Sequence, residues 1–251
     1  WVGRSLTVEH VLASGVPPFQ QGHDGWTEFA DDVVTVGGAV ALPVLARRCS
    51  AAGLVGFEWA VGVPGSIGGA VRMNAGGHGS DMAASLVVAQ VHDLRRGRTG
   101  WVPVERLGLR FRGSALADHQ VVLHARLQLA HGDVAGSEAA LAEIVRWRRE
   151  HQPGGQNAGS VFVNPLPGEL PAALLIDRLG LRGRSVGGAY VSEKHANFIQ
   201  AAPGATAADV RELMRQVREV VAESTGHVLR SEVRLVGFAD VVDEPAEGVT
   251  L

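Results

Sequence analysis

The sequence is short of several things, and each shortage excludes a class of function. A single cysteine, Cys49, rules out an internal disulfide and suits a reducing compartment. A formal net charge of −3 leaves no basic footprint for nucleic acid. No run approaches the ~18 uninterrupted apolar residues of a membrane-spanning helix, because glycines, prolines and charges break every stretch. There are 10 histidines, yet no H-E-x-x-H and no Cys/His spacing that would mark a metal site. Lysine is nearly missing: Arg and Lys together number 23, and only position 194 is lysine. A compositional bias toward arginine accounts for this. The one lysine that stays is still of interest, since the two cations are not interchangeable at a compact, geometry-limited site. No charged-then-apolar leader heads the sequence, which opens on Trp1 rather than Met, as a fragment or trimmed chain would.

What is present is ordinary for a globular protein, 46% hydrophobic and 20% charged, over 251 residues, enough for two modest domains. Residues 32–46 read as a strand, a Gly-Gly turn and the start of a helix reaching Ala52. Residues 53–80 are glycine-rich with little periodicity and read as loops. Alternating β-branched residues predict strands at 86–94 and 121–129. Ser137 is placed to cap a helix running to about Glu150. Pro171 and Gly180 bracket a short helix, and Thr206 with Asp209 opens a longer one that Gly226 ends. The run HVLRSEVRLVGF predicts a closing strand, and the acidic residues from Asp240 a surface or frayed tail. Polar, Pro and Gly residues at 151–157 mark the domain boundary. The expected organisation is 1–150, 151–238 and a tail at 239–251.

Three stretches could carry chemistry. In GVPGSIGGAVRMNAGGHG, Gly62 to Gly79, glycines let a backbone approach a phosphate or ring closely. It is neither a Walker A loop nor a Rossmann fingerprint, and tight turns explain it as well as a cradle for a nucleotide-type cofactor. In QNAGSVFVNP, Ser160 follows a glycine at the mouth of an apolar run. Ala158-Gly159-Ser160-Val161-Phe162 is not the G-x-S-x-G of a hydrolase elbow. The hydroxyl is therefore either a turn residue or a donor of protons where charge develops. In SEKHANF, Lys194, His195 and Asn197 form either a polar loop or a set of ligand hydrogen-bonders. Arg112 in LRFRGS and Glu232 in RSEVR lie on apparent strands, where alternating charges usually face solvent.

In the order GVPGSIGGAVRMNAGGHG, LGLRFRGSAL, RWRREHQPGGQNAGSVFVNP, LIDRLGLRG, VGGAYVSEKHANFI and LRSEVRLVGF, these segments resemble the UDP-N-acetylenolpyruvoylglucosamine reductase family. These are flavoenzymes of bacterial peptidoglycan precursor synthesis, and SEKHANF points to the family's shorter type. The likeness spans roughly Gly53 to Phe238. It implies an α+β fold, with an FAD-binding domain of the vanillyl-alcohol oxidase type followed by an α+β substrate-binding domain. It also implies that NADPH reduces FAD and that hydride then passes to the enolpyruvyl double bond of a UDP-sugar.

Matched position by position, Ser160 is the family's proton donor to the neighbouring carbon. Arg112 is its partner in electrostatic stabilisation, and Glu232 either orients the site or shares a proton. Pro64, Gly65, Ser66, Gly68, Gly69 and Asn74 match the flavin-contacting loop; Asn164, Lys194, His195 and Asn197 match the substrate side. A cytoplasmic, monomeric enzyme is the implied setting. The family's Gly-Gly-Gly-Ser-Asn-type loop, which wraps the FAD pyrophosphate, has no counterpart upstream of Asp31, and WVGRSLTVEH does not replace it. A chain lacking the N-terminal lobe is therefore expected. Phe111 stands where the family usually has Tyr, Val163 where Lys or another polar residue is common, and Arg230-Ser231 where Glu-Pro is commoner. Two other readings are a flavin-less UDP-sugar-binding paralogue or inactive fragment, supported by the absent loop, and a related flavin-dependent alcohol oxidase, against which the Gly-Ser-x-Phe-x-Asn-Pro element argues.

Overall fold

A computed structural model describes residues 26–166, 168–238 and 248–251. The stretch WVGRSLTVEH lies outside the described residues. Those described divide into two compact units, 26–146 with 248–251, and 147–238. The division falls inside a helix, ahead of the polar loop 151–157.

The first unit opens with a hairpin of β1 (Thr27–Ala30) and β2 (Val33–Gly37), followed by helix α1 (Leu42–Ala51) and the short strand β3 (Leu54–Val55). A 3-10 turn, Glu58–Gly62, leads into helix α2 (Ile67–Met73) and a tight hairpin of β4 (Gly76–Gly77) and β5 (Ser80–Asp81). Strands β6 (Leu86–Asp93), β7 (Arg98–Pro103) and β8 (Gln120–Gln128) follow, then β9 (Ala130–His131) and helix α3 (Val134–His151). The main sheet is antiparallel in the order β1-β2-β8-β6-β7. Its register puts Val34 opposite Leu127 and Val36 opposite Ala125, all four fully buried. That is the period-two alternation of a sheet with one face in a core.

Helix α2 corrects the expectation of loops over 53–80. Its glycines are used for closeness rather than for turns. A Cβ on Gly68 would lie 3.2 Å from the Gly38 carbonyl oxygen and 3.3 Å from that of Val122, and a Cβ on Gly38 would lie 2.3 Å from Val122 O. Tertiary packing of backbone on backbone outweighs the ~1 kcal/mol that each helical glycine costs in propensity. The start of α3 is a second correction. Ser137 sits inside the first turn and donates to Glu58 Oε1 (2.7 Å), while Asp133 Oδ2 accepts from the Gly136 N–H (2.7 Å) in the capping role. Of the expected C-terminal tail, only residues 248–251 are described. Val249 is buried, and the Gln120 side chain holds it by a fork, Nε2 donating to Val249 O (2.7 Å) and Oε1 accepting from Val249 N–H (2.8 Å).

The second unit holds β10 (Gln156–Ser160), helix α4 (Ala172–Arg178), β11 (Ser185–Val186), β12 (Ala189–Val191), β13 (Phe198–Ala201) and helix α5 (Ala207–Thr225). The strands form one antiparallel sheet, β10-β13-β12-β11. Helix α5 carries the full capping box of Thr206 and Asp209 and ends at left-handed Gly226. Its buried Leu213, Met214, Val217 and Val221 share a core with Ala189, Val191, Ile199, Leu175 and Ile176. Each of the Leu, Ile, Val and Met side chains contributes about 1.5–3 kcal/mol on burial. The run 227–238 does not form the expected strand; it is extended, with a single bridge between Ser231 and Phe162.

Candidate active site

Ser160 is placed by an irregularity. Strand β10 pairs with β13 through Gln156–Ala201 and Asn157–Gln200, then the register shifts before Ser160 meets Phe198. The one extra residue forms a bulge, with Gly159 at φ 77°, and Asn157 Oδ1 accepts from the Gly159 N–H (3.0 Å). Bulges of this kind re-aim a side chain at the end of a strand. The Ser160 side chain is half-buried, and no described residue hydrogen-bonds its hydroxyl. The next residues, Val161 and Phe162, are buried and anchor the segment.

Glu232 is held beside this segment. Its N–H donates to Val161 O (2.8 Å), and Val163 N–H donates to Arg230 O (2.9 Å). The structure thus brings Ser160 and Glu232 to within one residue of a shared backbone hydrogen bond, and Glu232 lies in an irregular extended segment rather than on the expected strand.

Asn197, Asn164 and Lys194 have internal partners in this unit. The Asn197 side chain is buried and uses both ends on Phe162: Oδ1 accepts from its N–H (3.0 Å) and Nδ2 donates to its carbonyl (2.8 Å). Asn164 Oδ1 accepts from the Ala172 N–H (3.0 Å) at the start of α4, where Pro171 offers no side-chain cap. Lys194 Nζ donates to the carbonyl of Arg149 in the last turn of α3, a cation completing a helix C-terminus. The loop carrying Lys194 is shaped by two residues the sequence reading did not single out. Fully buried Ser192 accepts from the Lys194 N–H (3.2 Å), and Arg182 bridges Asp177 (2.5 Å) and the Glu193 carbonyl (2.5 Å).

His195 packs edge-on against Phe198 with ring centroids 4.8 Å apart. Burial, reinforced by the positive charge of Arg182, pushes its pKa below the ordinary imidazole value. The Asn197 N–H donates to its Nδ1 (3.2 Å), so the neutral ring carries its proton on Nε2 and presents a donor there.

In the first unit, the loop Gly37–Ala41 and the loop Pro64–Ser66 are zipped by Leu42 N–H to Gly65 O (3.0 Å) and Ile67 N–H to Val40 O (2.9 Å). Ser66 caps α2 by accepting from the Gly69 N–H (3.3 Å). Pro64, Gly65 and Gly69 are exposed, as are Ala39 and Ala41 across the zipper. Gly65 adopts φ 127°, which only glycine takes without strain, and the N–H groups of Gly65 and Ser66 donate to no described residue. This edge of small residues and unspent amides fits a flat or phosphate-bearing cofactor. Gly68 faces inward and serves packing. Asn74 is buried at the left-handed end of α2, its Nδ2 donating to Asp81 Oδ2 and its Oδ1 accepting from the Ala83 N–H, both at 3.0 Å.

Arg112 is not on a strand, contrary to expectation. Arg110 and Gly113 exchange backbone hydrogen bonds of 2.9 and 3.1 Å, which leaves Phe111 and Arg112 as the two turn residues, with Arg112 at φ 54°. Its guanidinium lies 5.0 Å from the centre of the exposed Phe111 ring. The residues after the turn are tied to α2: Ser114 Oγ donates to Arg72 O (2.7 Å), and Arg72 donates to Leu116 O and to Asp118 Oδ1. Two elements about 40 residues apart in sequence, the glycine-rich loop and the Arg112 turn, are thereby joined.

Comparison with known proteins places these observations in a class and then in a family. Residues 21–99 match the model of the FAD binding domain, and residues 151–236 match that of the UDP-N-acetylenolpyruvoylglucosamine reductase C-terminal domain. This pairing defines a flavoprotein oxidoreductase. The chain is 40% identical over 242 residues to the UDP-N-acetylenolpyruvoylglucosamine reductase of Gloeobacter violaceus, covering 94% of this chain and 80% of that protein. The relative of the same name from Heliobacterium modesticaldum is 44% identical over 209 residues, covering 82% of this chain and 66% of that protein. The crystal structure of the Thermus caldophilus reductase superimposes with a TM-score of 0.70 at 37% identity, covering 80% of this chain and 71% of the other. The chain belongs to the UDP-N-acetylenolpyruvoylglucosamine reductase family.

Proposed function

We propose that this chain reduces the enolpyruvyl double bond of UDP-N-acetylglucosamine enolpyruvate to give UDP-N-acetylmuramate, using FAD and NADPH. The observation that carries the reading is the Ser160 hydroxyl, set at the end of a bulged strand beside Glu232 and given no described partner of its own. A structural serine at a strand end would hydrogen-bond its own backbone. Bound at the edge formed by residues 39–41 and 64–66, FAD would supply the hydride that it takes from NADPH.

The protein's own residues do the rest. Hydride addition to one carbon leaves an electron pair delocalised onto the neighbouring carbon and the carboxylate. Ser160 Oγ gives its proton to that neighbouring carbon and recovers one from solvent. An enolate-like carbanion is basic enough to accept a proton from so weak an acid. Arg112 is assigned the cationic stabilisation of the developing charge, and Glu232 the organisation of the Ser160 segment. His195, with its proton on Nε2, is assigned a hydrogen bond to the UDP-sugar.

The family's role in peptidoglycan precursors extends to cell-wall biogenesis, cell shape and division. A cytoplasmic, monomeric enzyme is part of the proposal. The free, buried Cys49 suits a reducing compartment. No helix among the described residues is long and apolar enough to cross a membrane. The test is NADPH oxidation that depends on the enolpyruvyl substrate, run in D2O, with the product analysed by mass and NMR. One solvent deuterium on the carbon next to the hydride-accepting carbon supports the reading; NADPH oxidation that consumes oxygen and leaves the substrate unchanged favours an oxidase.

A further inference from the structure

Of the residues matched to the substrate side, Asn197 is the one whose buried side chain engages a single backbone residue, Phe162, through both its oxygen and its nitrogen. The pairing of β10 with β13 ends at Ser160 and Phe198. Past that point a regular ladder would need the backbone of 195–197 to run on beside 161–163. Instead the chain turns away, closed by Phe198 N–H to His195 O (3.0 Å). The Asn197 side chain fills the place of the missing strand. Its amide reproduces the donor–acceptor pair of a backbone peptide against Phe162 N–H (3.0 Å) and O (2.8 Å), and its own carbonyl accepts from Val161 N–H (2.9 Å). Three hydrogen bonds from one buried residue thus fix the two residues that follow Ser160. On the other flank the same segment receives Glu232 N–H and gives Val163 N–H to Arg230 O.

Ahead of Ser160 the mirror device is Asn157, which accepts from the Gly159 N–H (3.0 Å) and donates to Gly155 O (3.2 Å). The serine therefore sits between two asparagines that each replace backbone pairing with side-chain pairing. Such a clamp suits a group whose oxygen must be held near its target without being hydrogen-bonded itself, because a misplacement of 1 Å costs on the order of 10²-fold in rate.

We propose that Asn197 is a positioning residue for the Ser160 proton donor and not a contact to the UDP-sugar. The inference rests on the function proposed above and assigns a part within it. The isosteric variant Asn197→Asp tests it. The ionised carboxylate can still accept from Phe162 N–H but sets an oxygen against Phe162 O, so the segment shifts. A protonated carboxyl donates to that carbonyl as the amide did.

Anaerobic stopped-flow spectroscopy reads the two half-reactions separately. The expected result for Asn197→Asp is flavin reduction by NADPH at the wild-type rate. Reoxidation by saturating substrate slows roughly 10²-fold, the substrate concentration at half-maximal rate stays unchanged, and the rate recovers as pH is lowered and the carboxyl protonates. A raised half-saturation concentration with an unchanged maximal reoxidation rate would make Asn197 a substrate contact and overturn the proposal, as would wild-type reoxidation throughout. Failure of the wild-type protein to be reoxidised by the substrate would instead strike at the proposed function. If the variant does not fold, hydrogen exchange on the wild type decides. The Phe162 amide and the Asn197 side-chain amide should be protected to the level of the paired amides of β13 without any ligand; rapid exchange at both would overturn the clamp.

Discussion

Replacing Ser160 by alanine separates the chemistry from the fold. The hydroxyl has no described hydrogen-bond partner and the side chain is half-buried, so its removal leaves no orphaned group behind and should change stability by less than about 0.5 kcal/mol. The buried anchors of the segment, Val161 and Phe162, stay in place. A positioned general acid contributes about 10²–10⁴-fold, which is roughly 2.7–5.4 kcal/mol of barrier at 1.36 kcal/mol per decade. The loss should fall entirely on the half-reaction in which substrate takes up hydride and proton. In an anaerobic stopped-flow experiment, Ser160→Ala should bleach with NADPH as fast as the wild type and then be reoxidised by the enolpyruvyl substrate 10²–10⁴ times more slowly. Unfolding transitions recorded in parallel should coincide. Equal slowing of both phases, or reoxidation at the wild-type rate, would refute the assigned role.

Three further expectations follow from the geometry. Arg112→Ala should slow substrate turnover while the protein keeps its flavin, since the residue is not one of those that form the 39–41 and 64–66 zipper; unchanged turnover measured by NADPH oxidation would remove Arg112 from the chemistry. Asn164→Ala takes the only described side-chain acceptor from the first turn of α4 and should cost about 1 kcal/mol, as lost caps do, read as a lowered midpoint in urea; Asn164→Asp should retain most of it. Burial holds the pKa of His195 below that of the unfolded imidazole, so the unfolded state binds the proton first. Its contribution is therefore intact above about pH 6.5 and is lost as pH falls through the folded-state pKa. His195→Gln should flatten the drop in urea midpoint between pH 7.5 and pH 5.5 relative to wild type, and an unchanged slope would contradict the burial argument.

The elements that were legible in the sequence are those with complete local signals. Helix α5 shows its N-cap pair, its apolar stripe and its terminal glycine, and the structure uses all three. Strands β2, β6 and β8 show their alternation. What was illegible depends on distant partners. The glycine-rich run holding Gly68 and Gly69 read as loop, yet α2 forms there, and Gly68 lets its backbone reach the carbonyls of Gly38 and Val122. Ser137 looked like a cap, but a carboxylate 79 residues away at Glu58 takes its hydroxyl while Asp133 caps. Arg112 looked like a strand residue because Leu, Phe and Arg alternate there; the reversal is set by Gly113 pairing back to Arg110. The run 227–238 has strand composition but receives only one bridge partner.

The site divides the same way. The motif around Ser160 marked the hydroxyl as a candidate, but not the bulge at Gly159 beside it, nor the use of Asn157 and Asn197 in place of backbone. Those depend on where β13 begins, which no local pattern encodes. The singular lysine attracted attention by composition, and the structure gives it a helix terminus to complete.

The most direct test of the whole account is an absorbance spectrum of the purified 251-residue chain after incubation with FAD and removal of free cofactor. The account expects a retained flavin band that NADPH bleaches and the enolpyruvyl substrate restores in the absence of oxygen. A colourless protein, or a bleached flavin that only oxygen restores, would contradict it.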